Sequence, residues 1–250
     1  KPLVRGKKKF IKFEKGSAWT PRIKNKINTS HDRLRSMGYK IPKQKPVEMI
    51  VGDDRPGGFF SAMSGDGKRL TVNHRLLFSK VSQKKLDDVV SAGLFPRGTN
   101  SASAMLDHEF AHAISSTISR EAQNKINHIY KKYVSEVNRK YDSPLKAIAK
   151  KRIEFFDKLK DAINQARISG ATAHEISVMT KKGDELLNTF TEKYHELSQK
   201  KRNSNIFISD NAKKSIDEFM ADSFTSLHYS KINNQYAKRV WDIIDEELIP

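Results

Sequence analysis

The segment Leu106–Ile114 constrains the fold of this chain more than any other, because it carries two histidines that can share one metal ion. On a helix, His108 and His112 lie four residues apart and project from one face, where two neutral imidazoles can bind a single zinc ion. Glu109 stands beside that face, within reach of a metal-bound water, and the apolar residues around it predict a packed helix. A fold built on this HExxH helix must bring a further ligand to it from elsewhere.

A second amphipathic helix, predicted over residues 215–224, supplies the best candidate for that ligand. Hydrolytic zinc usually has three protein ligands and leaves the fourth position to water. Glu218 and Asp222 are four residues apart and share a face, so Glu218 can coordinate the metal while Asp222 accepts the spare ring N–H of a ligating histidine. The alternative is that the histidines are hydrogen-bonded core residues and the acidic pair is solvated.

Together the two segments resemble a known family. His108-Glu109-x-x-His112, followed far downstream by Glu218-x-x-x-Asp222, is similar to the gluzincin branch of zinc metallopeptidases. The resemblance implies a zincin-like metallopeptidase core, a Zn²⁺ cofactor and a protein or peptide substrate. It implies that His108, His112 and Glu218 bind the metal, that Glu109 is the catalytic base, and that Asp222 supports a ligating histidine.

Gluzincins usually add a Tyr or His that stabilises the oxyanion. Tyr229 and His228 follow the third ligand and are the candidates that the chain offers. Lethal-factor-like enzymes carry a Tyr a few residues before the metal-binding Glu, whereas the segment 209–212 has none. This departure bears on catalytic strength more than on metal binding.

A second resemblance lies upstream of the motif. The turn Phe95-Pro96-Arg97-Gly98-Thr99, then Ser103, then His108-Glu109, is similar to zincin-like domains attached to phage minor head or head-morphogenesis proteins. It implies a phage-encoded protein associated with the virion or located in the bacterial host cytoplasm.

Charge is concentrated at one end of the chain. Residues 1–45 hold 15 Lys or Arg against Glu14 and Asp32, a net charge of +13 out of the total of +18. This basic N-terminal segment can meet nucleic acid or another acidic surface, or it can be a solvated linker.

The chain has no cysteine, which leaves His, Asp and Glu as metal ligands. No apolar run is long enough for a membrane span, no signal peptide is visible, and the first residue, Lys1, indicates a fragment or processed product.

The remaining pattern predicts an α+β, predominantly helical fold. Residues 46–250 are expected to form the zincin-like domain, with a small antiparallel sheet from Val47–Val51, Gly58–Met63 and Arg69–Asn73. The third strand is expected either to be the edge that receives substrate or merely to complete the sheet. Helices are predicted over 21–38, 81–92 and 231–248, and a short strand over Ile206–Ile208.

Between the two halves of the metal site, the chain is almost entirely helix-forming. Three apolar stripes, interrupted at Ser143-Pro144 and Ser169-Gly170, predict an inserted helical hairpin or bundle over about 119–205. The sequence therefore favours a zinc-dependent peptidase. The alternatives are a structural phage head protein with a vestigial zincin fold, a secreted effector or toxin protease, and a basic nucleic-acid-binding module.

Overall fold

The computed structural model describes residues 11–16, 18–50 and 60–249, which separate into two compact units. The first unit comprises residues 1–131 and 208–250, and the second comprises residues 132–207. The predicted fold class is confirmed at the level of a predominantly helical α+β chain. The elements, in chain order, are α1 (Pro21–Ser36), β1 (Glu48–Ile50), β2 (Ser61–Met63), β3 (Leu70–Asn73), α2 (His74–Phe78), α3 (Ser82–Ser91), α4 (Ala102–Ser115), α5 (Arg120–Val137), a π-helical turn (Asn138–Asp142), α6 (Ser143–Ile168), α7 (Ala173–Asn203), a 3-10 turn (Asn211–Lys213), α8 (Ile216–Tyr229) and α9 (Gln235–Leu248).

The helix α4 lies at the centre of the first unit. It packs against α8 and α1, and β2 lies against it. Ser101 begins the helix, since its hydroxyl accepts a hydrogen bond from the Ala104 N–H at 3.1 Å. Gly98, in the turn before the helix, has a φ of +83°, and a Cβ there would lie 2.2 Å from the Tyr229 carbonyl oxygen. Only glycine therefore lets this turn approach the end of α8 so closely.

Helix α8 faces α4 and is covered in turn by α9. Its N-cap is Ser215, whose hydroxyl accepts from the Glu218 N–H at 3.2 Å. Phe219 and Phe224 are fully buried, and Trp241 of α9 packs 4.7 Å from the Phe224 ring. The Trp241 indole also donates to the Met220 carbonyl at 2.9 Å, which joins α9 to α8. This apolar packing makes α8 a rigid support for its polar face.

The sheet of the first unit is mixed, and the predicted antiparallel sheet is wrong in this respect. Strand β3 is central, with β1 parallel to it on one side and β2 antiparallel on the other. The hypothesis that the third strand is a substrate-receiving edge is therefore also wrong. In the sequence, β2 lies between β1 and β3, so the parallel pairing of β1 with β3 skips one strand. Alternation of apolar residues within each strand cannot reveal such a crossover. The predicted turn Gly57-Gly58 and the strand residue Val51 lie outside the described residues.

Part of the basic N-terminal segment belongs to the first unit. Helix α1 buries Ile23, Ile27 and Leu34 and packs on α4. Ile11 and Trp19 are also buried, whereas Lys7-Lys8-Lys9 and Phe10 lie outside the described residues. Residues 21–36 are thus part of the folded core as well as part of the basic segment.

In the second unit, α6 and α7 pack against each other over most of their length. α6 begins at Ser143, where the interruption at Ser143-Pro144 was predicted, but the chain stays helical there, because a π-helical turn joins α5 to α6 and the Ser143 N–H donates to the Asn138 carbonyl. The break at Ser169-Gly170 is confirmed, with Gly170 at a φ of +81°. The segment Ile206–Ile208, in contrast, is not a strand. Among the described helices, none combines the length and apolar character that crossing a membrane requires.

Candidate metal centre

Three predicted ligands meet between α4 and α8. Nε2 of His108 lies 3.2 Å from Nε2 of His112 and 3.2 Å from Oε2 of Glu218. Nε2 of His112 lies 3.7 Å from the same carboxylate oxygen. The structure therefore brings together a donor cluster of His108, His112 and Glu218, although the third residue lies about a hundred positions away in the sequence.

These separations fit a tetrahedral metal ion. Zinc binds imidazole nitrogen and carboxylate oxygen at about 2.0–2.1 Å, so two ligand atoms at the corners of a tetrahedron lie about 3.3 Å apart. The observed separations of 3.2, 3.2 and 3.7 Å are close to that value. Two imidazoles and one carboxylate also form a donor set that suits zinc and leaves one position for water.

Asp222 lies behind His108. Its Oδ1 is 2.9 Å from Nδ1 of His108, and its other oxygen accepts a hydrogen bond from the Ser209 hydroxyl at 2.5 Å. Nδ1 and Oδ1 are both buried and form no hydrogen bond of standard geometry among the described residues, so the 2.9 Å ion-pair contact between them is the interaction available to each. This contact places the proton on Nδ1 and leaves Nε2 directed at the donor cluster.

The charges of the cluster are strongly coupled. Burial by itself lowers the pKa of His108, but the carboxylates of Asp222 and Glu218 outweigh burial and hold that pKa well above its usual value. Burial likewise raises the pKa of Glu218, yet the two imidazoles reverse this and hold it well below its usual value. The cluster thus needs positive charge at its centre, which either an imidazolium proton or a metal cation can supply.

Glu218 is itself oriented by a residue that sequence reasoning missed. The Asn211 side-chain amide donates to Oε2 of Glu218, the oxygen nearest both histidines. Asn211 lies in the 3-10 turn before α8, and its backbone N–H donates to the Leu94 carbonyl at 3.2 Å. An asparagine seven residues before a candidate ligand has no recognisable pattern, so the sequence offered no signal for this contact.

Glu109 does not join the donor cluster. It is 6% exposed, and its Oε1 accepts a hydrogen bond from the Ser61 hydroxyl of β2 at 3.1 Å. Together with His112 and Glu218, Glu109 lines a cleft of about 610 Å³ that β2 borders on another side. The carboxylate therefore reaches the same open space as the donor cluster.

The same cleft has a strand at its border. Ser61, Ala62 and Met63 of β2 line it, and among the described residues β2 pairs only with β3. An edge strand offers unpaired backbone N–H and C=O groups to an extended peptide. The edge that borders the donor cluster is thus β2 rather than the predicted third strand.

Neither candidate for oxyanion stabilisation reaches the cleft. Tyr229 donates its hydroxyl to Asp107 and accepts from the Arg33 guanidinium at 2.9 Å. His228 packs 4.2 Å from the Phe224 ring, and burial lowers its pKa. Among the described residues that line the cleft, neither is present. Distance along the helix explains this, because positions 228 and 229 lie ten and eleven residues beyond Glu218 on α8, about 15 Å or more along its axis.

Asp107 forms a second buried polar cluster, which sequence reasoning also missed. Its carboxylate accepts from the Ser30 hydroxyl of α1 and the Tyr229 hydroxyl of α8, and it pairs with Arg33. One fully buried carboxylate therefore joins three helices immediately before His108, the first residue of the donor cluster. This contact fixes the orientation of α4 between its neighbours.

Comparisons of the chain with protein-family models, with curated proteins and with solved structures find no match.

Proposed function

We propose that the chain is a zinc-dependent peptidase in which His108, His112 and Glu218 bind the metal and Glu109 transfers protons. The observation that carries the proposal is the convergence of three ligand atoms with tetrahedral separations beside a carboxylate on one cleft. A structural histidine pair needs no such third donor and no open space next to it.

A bound zinc ion would supply Lewis acidity, polarising the scissile carbonyl and making water a better nucleophile near neutral pH. The side chains of the protein carry out the proton transfers. Glu109 accepts the proton of the attacking water and returns it to the leaving amine nitrogen, so one carboxylate serves both halves of the hydrolysis. The Ser61 hydroxyl holds Oε1 of Glu109 in place for this transfer.

Positioning of the substrate is assigned to β2. An extended peptide hydrogen-bonded to this edge would lie along the cleft that Glu109 and the donor cluster line. Asp222 and Asn211 keep His108 and Glu218 directed at the centre of the cluster. Preorganisation of this kind means that the ligands need not reorganise when the metal binds.

A second candidate is a structural protein that keeps the metal site without proteolysis. One observation favours it, since Tyr229 and His228 do not line the cleft among the described residues, and no other oxyanion donor was predicted. Metal binding is common to both candidates, so only hydrolysis separates them.

The test uses the full chain, with metal content measured by mass spectrometry and cleavage measured on a mixed peptide library. The peptidase should bind about one zinc ion per chain. Substitution of Glu109 by Gln should lower the cleavage rate by about 10²–10⁴-fold while zinc content and circular dichroism stay unchanged.

Glu121→Gln is the matched control, because Glu121 is exposed on α5 and its ion pair among the described residues is with Lys125 across one helical turn. It should leave cleavage unchanged. Zinc binding with no cleavage by the native chain would establish the structural candidate, and cleavage that survives Glu109→Gln would refute the assigned base.

A further inference from the structure

A basic groove crosses the first unit beside the hairpin of β2 and β3. It has a volume of about 1200 Å³. Six exposed cationic side chains line it, and none of its described lining residues is Asp or Glu. The cationic residues are Lys12, Arg35, Lys40, Lys43, Lys45 and Lys68. None of them forms an ion pair with another described residue, so the groove carries a net positive charge.

The groove also has an apolar floor. Ile11 and Tyr39 are buried, and Ile41 and Pro42 are half-buried between them. The Tyr39 hydroxyl donates to Asp245 at 2.6 Å, and its ring packs on Trp241, so Tyr39 is not free to stack on a base. A floor of this kind with a cationic rim suits a polypeptide that mixes acidic and apolar side chains. Single-stranded nucleic acid usually needs exposed aromatic rings.

The wall of the groove is held firmly. Gln44 donates its side-chain amide to the carbonyls of Pro42 and Gly67, each at 2.8 Å. The Lys45 N–H donates to the Lys68 carbonyl at 2.7 Å. These bonds join the lysine-bearing segment 42–45 to the turn between β2 and β3, so several of the cations are presented by ordered backbone.

That turn also borders the cleft at the donor cluster. Ser64 and Gly65 line the cleft, while Lys68, at the other end of the turn, lines the groove. Gly67 rests on the end of α4, where a Cβ would lie 2.4 Å from the Ser116 hydroxyl oxygen. The two backbones of a hairpin lie only about 5 Å apart, so an extended polypeptide crosses the pair in a few residues. The cleft and the groove can therefore contact one continuous chain.

We infer that this groove binds an acidic segment of the polypeptide whose scissile bond lies in the cleft, so that the protein prefers substrates with acidic residues at a distance from the cleaved bond. The inference rests on the proposed peptidase function and adds a substrate class to it. Asp66, exposed in the turn, offsets only part of the charge near Lys45 and Lys68.

Binding is tested separately from cleavage by using the full chain with Glu109→Gln. The probes are a fluorescein-labelled peptide of Glu, Leu and Ser, the same peptide with Lys in place of Glu, and a single-stranded oligothymidine, all measured by fluorescence anisotropy. The acidic peptide should bind most tightly and should lose affinity as salt is raised. Lys43→Glu combined with Lys45→Glu should raise its Kd at least about tenfold, because two attractions become repulsions.

Lys181→Glu combined with Lys182→Glu is the matched control. Both residues are exposed on α7, outside the groove, and the change in net charge is the same. This pair should leave the Kd within about twofold, since neither lysine lines the groove. Equal loss in both double variants would overturn the inference, because it would show attraction to net charge alone.

Tighter binding of the oligothymidine than of the acidic peptide, lost in the Lys43 and Lys45 variant, would also overturn the inference in favour of a nucleic-acid groove. With the native active-site residues, the groove variant should raise KM for acidic substrates and leave kcat unchanged. Acid-dependent binding without any cleavage would sink the peptidase function but not the groove. Cleavage with no preference for acidic segments would sink the groove but not the peptidase.

Discussion

The two units of this protein differ most in how much side-chain surface they bury. Helix α4 of the first unit buries twelve of its fourteen residues, among them Asp107, His108 and Glu109. In the second unit, α6 buries only Leu145 among its 26 residues, and α7 only Gly183 and Lys201 among its 31. The second unit leaves large apolar side chains exposed, including Phe156 at 52%. The chain thus places its polar chemistry where side chains have least freedom to move.

The difference follows from geometry. Two helices packed alone can each bury one stripe, and the rest of each surface faces solvent. Helix α4 instead has neighbours on several sides, which bury its polar groups. Burial of these groups is possible because each has a hydrogen-bonding or ion-pair partner. Asp107, His108 and Glu109 all have such partners on other elements. A functional cluster in the second unit would have had no comparable support.

The largest expected effect tests this contrast directly. Phe219→Ala should destabilise the first unit by about 4 kcal/mol, because it empties a fully buried site beside Tyr130. Phe156→Ala, the same change on the exposed surface of α6, should alter stability by no more than about 0.5 kcal/mol. Urea unfolding followed by circular dichroism measures both. Similar losses at the two positions would mean that the second unit is packed as densely as the first.

The next effect concerns metal. Zinc at about 100 times its Kd should stabilise the first unit by about 2.7 kcal/mol and leave the second unchanged. Both tryptophans, Trp19 and Trp241, belong to the first unit, so tryptophan fluorescence reports its unfolding alone. A chelator should reverse the shift, and Glu218→Ala should abolish it. A zinc-induced shift that persists in Glu218→Ala would place the ion elsewhere.

A smaller effect is expected from Asp222, which lies behind His108 of the donor cluster. Asp222→Asn keeps the shape of the side chain but removes the charge that orients His108. Zinc affinity should fall by about 10–100-fold, while Asp242→Asn, a change on the exposed face of α9, should have no effect. Competition with a fluorescent zinc chelator gives both affinities. Unchanged affinity in Asp222→Asn would mean that the His108–Asp222 contact is structural only.

The smallest effect is a dependence of stability on pH. Burial lowers the pKa of His31. Asp32 opposes this effect, and the positive charge of Arg35 adds to it. The unfolded chain therefore takes up this proton at a higher pH than the folded chain, so stability falls as the pH drops below about 6.5. His31→Leu should remove this part of the loss between pH 7 and pH 5, measured by urea unfolding. A steeper loss in the variant would reverse the sign and contradict the assignment.

The three residues of the donor cluster could be found from the sequence because their pattern is local. His108 and His112 need only helical periodicity to share a face, and Glu218 with Asp222 needs the same. Ser30, Asn211 and Ser209 could not be predicted, since each acts through a contact between elements that no spacing encodes. The order of the strands failed for the same reason, because β1 and β3 are neighbours only through the tertiary fold.

At other positions, a local sequence pattern gave only part of the answer. Pro144 predicted an interruption, and the chain accommodates it by widening into a π-helical turn rather than by leaving the helix. Ile206, Phe207 and Ile208 are all buried, which accounts for their apolar character. In the sequence, an apolar run of this length resembles a strand. Tyr229 has the chemistry of an oxyanion donor, yet its position on α8 directs it to Asp107. In these cases the residue type indicated the chemistry or the burial of the side chain, but the sequence did not indicate its three-dimensional surroundings.

The contacts of Ser209 bear on how this chain could have acquired or could lose residues 132–207. Ser209 and Asn211 lie just after the last residue of the second unit, and they hold Asp222 and Glu218 by hydrogen bonds. Tyr130, just before that unit begins, already bonds the Lys213 carbonyl at 2.8 Å. A shortened chain that joins these two flanks by a brief linker, with Ile208 onward unchanged, would keep the donor cluster and its supporting residues. We therefore expect the segment 132–207 to be removable without loss of the cluster.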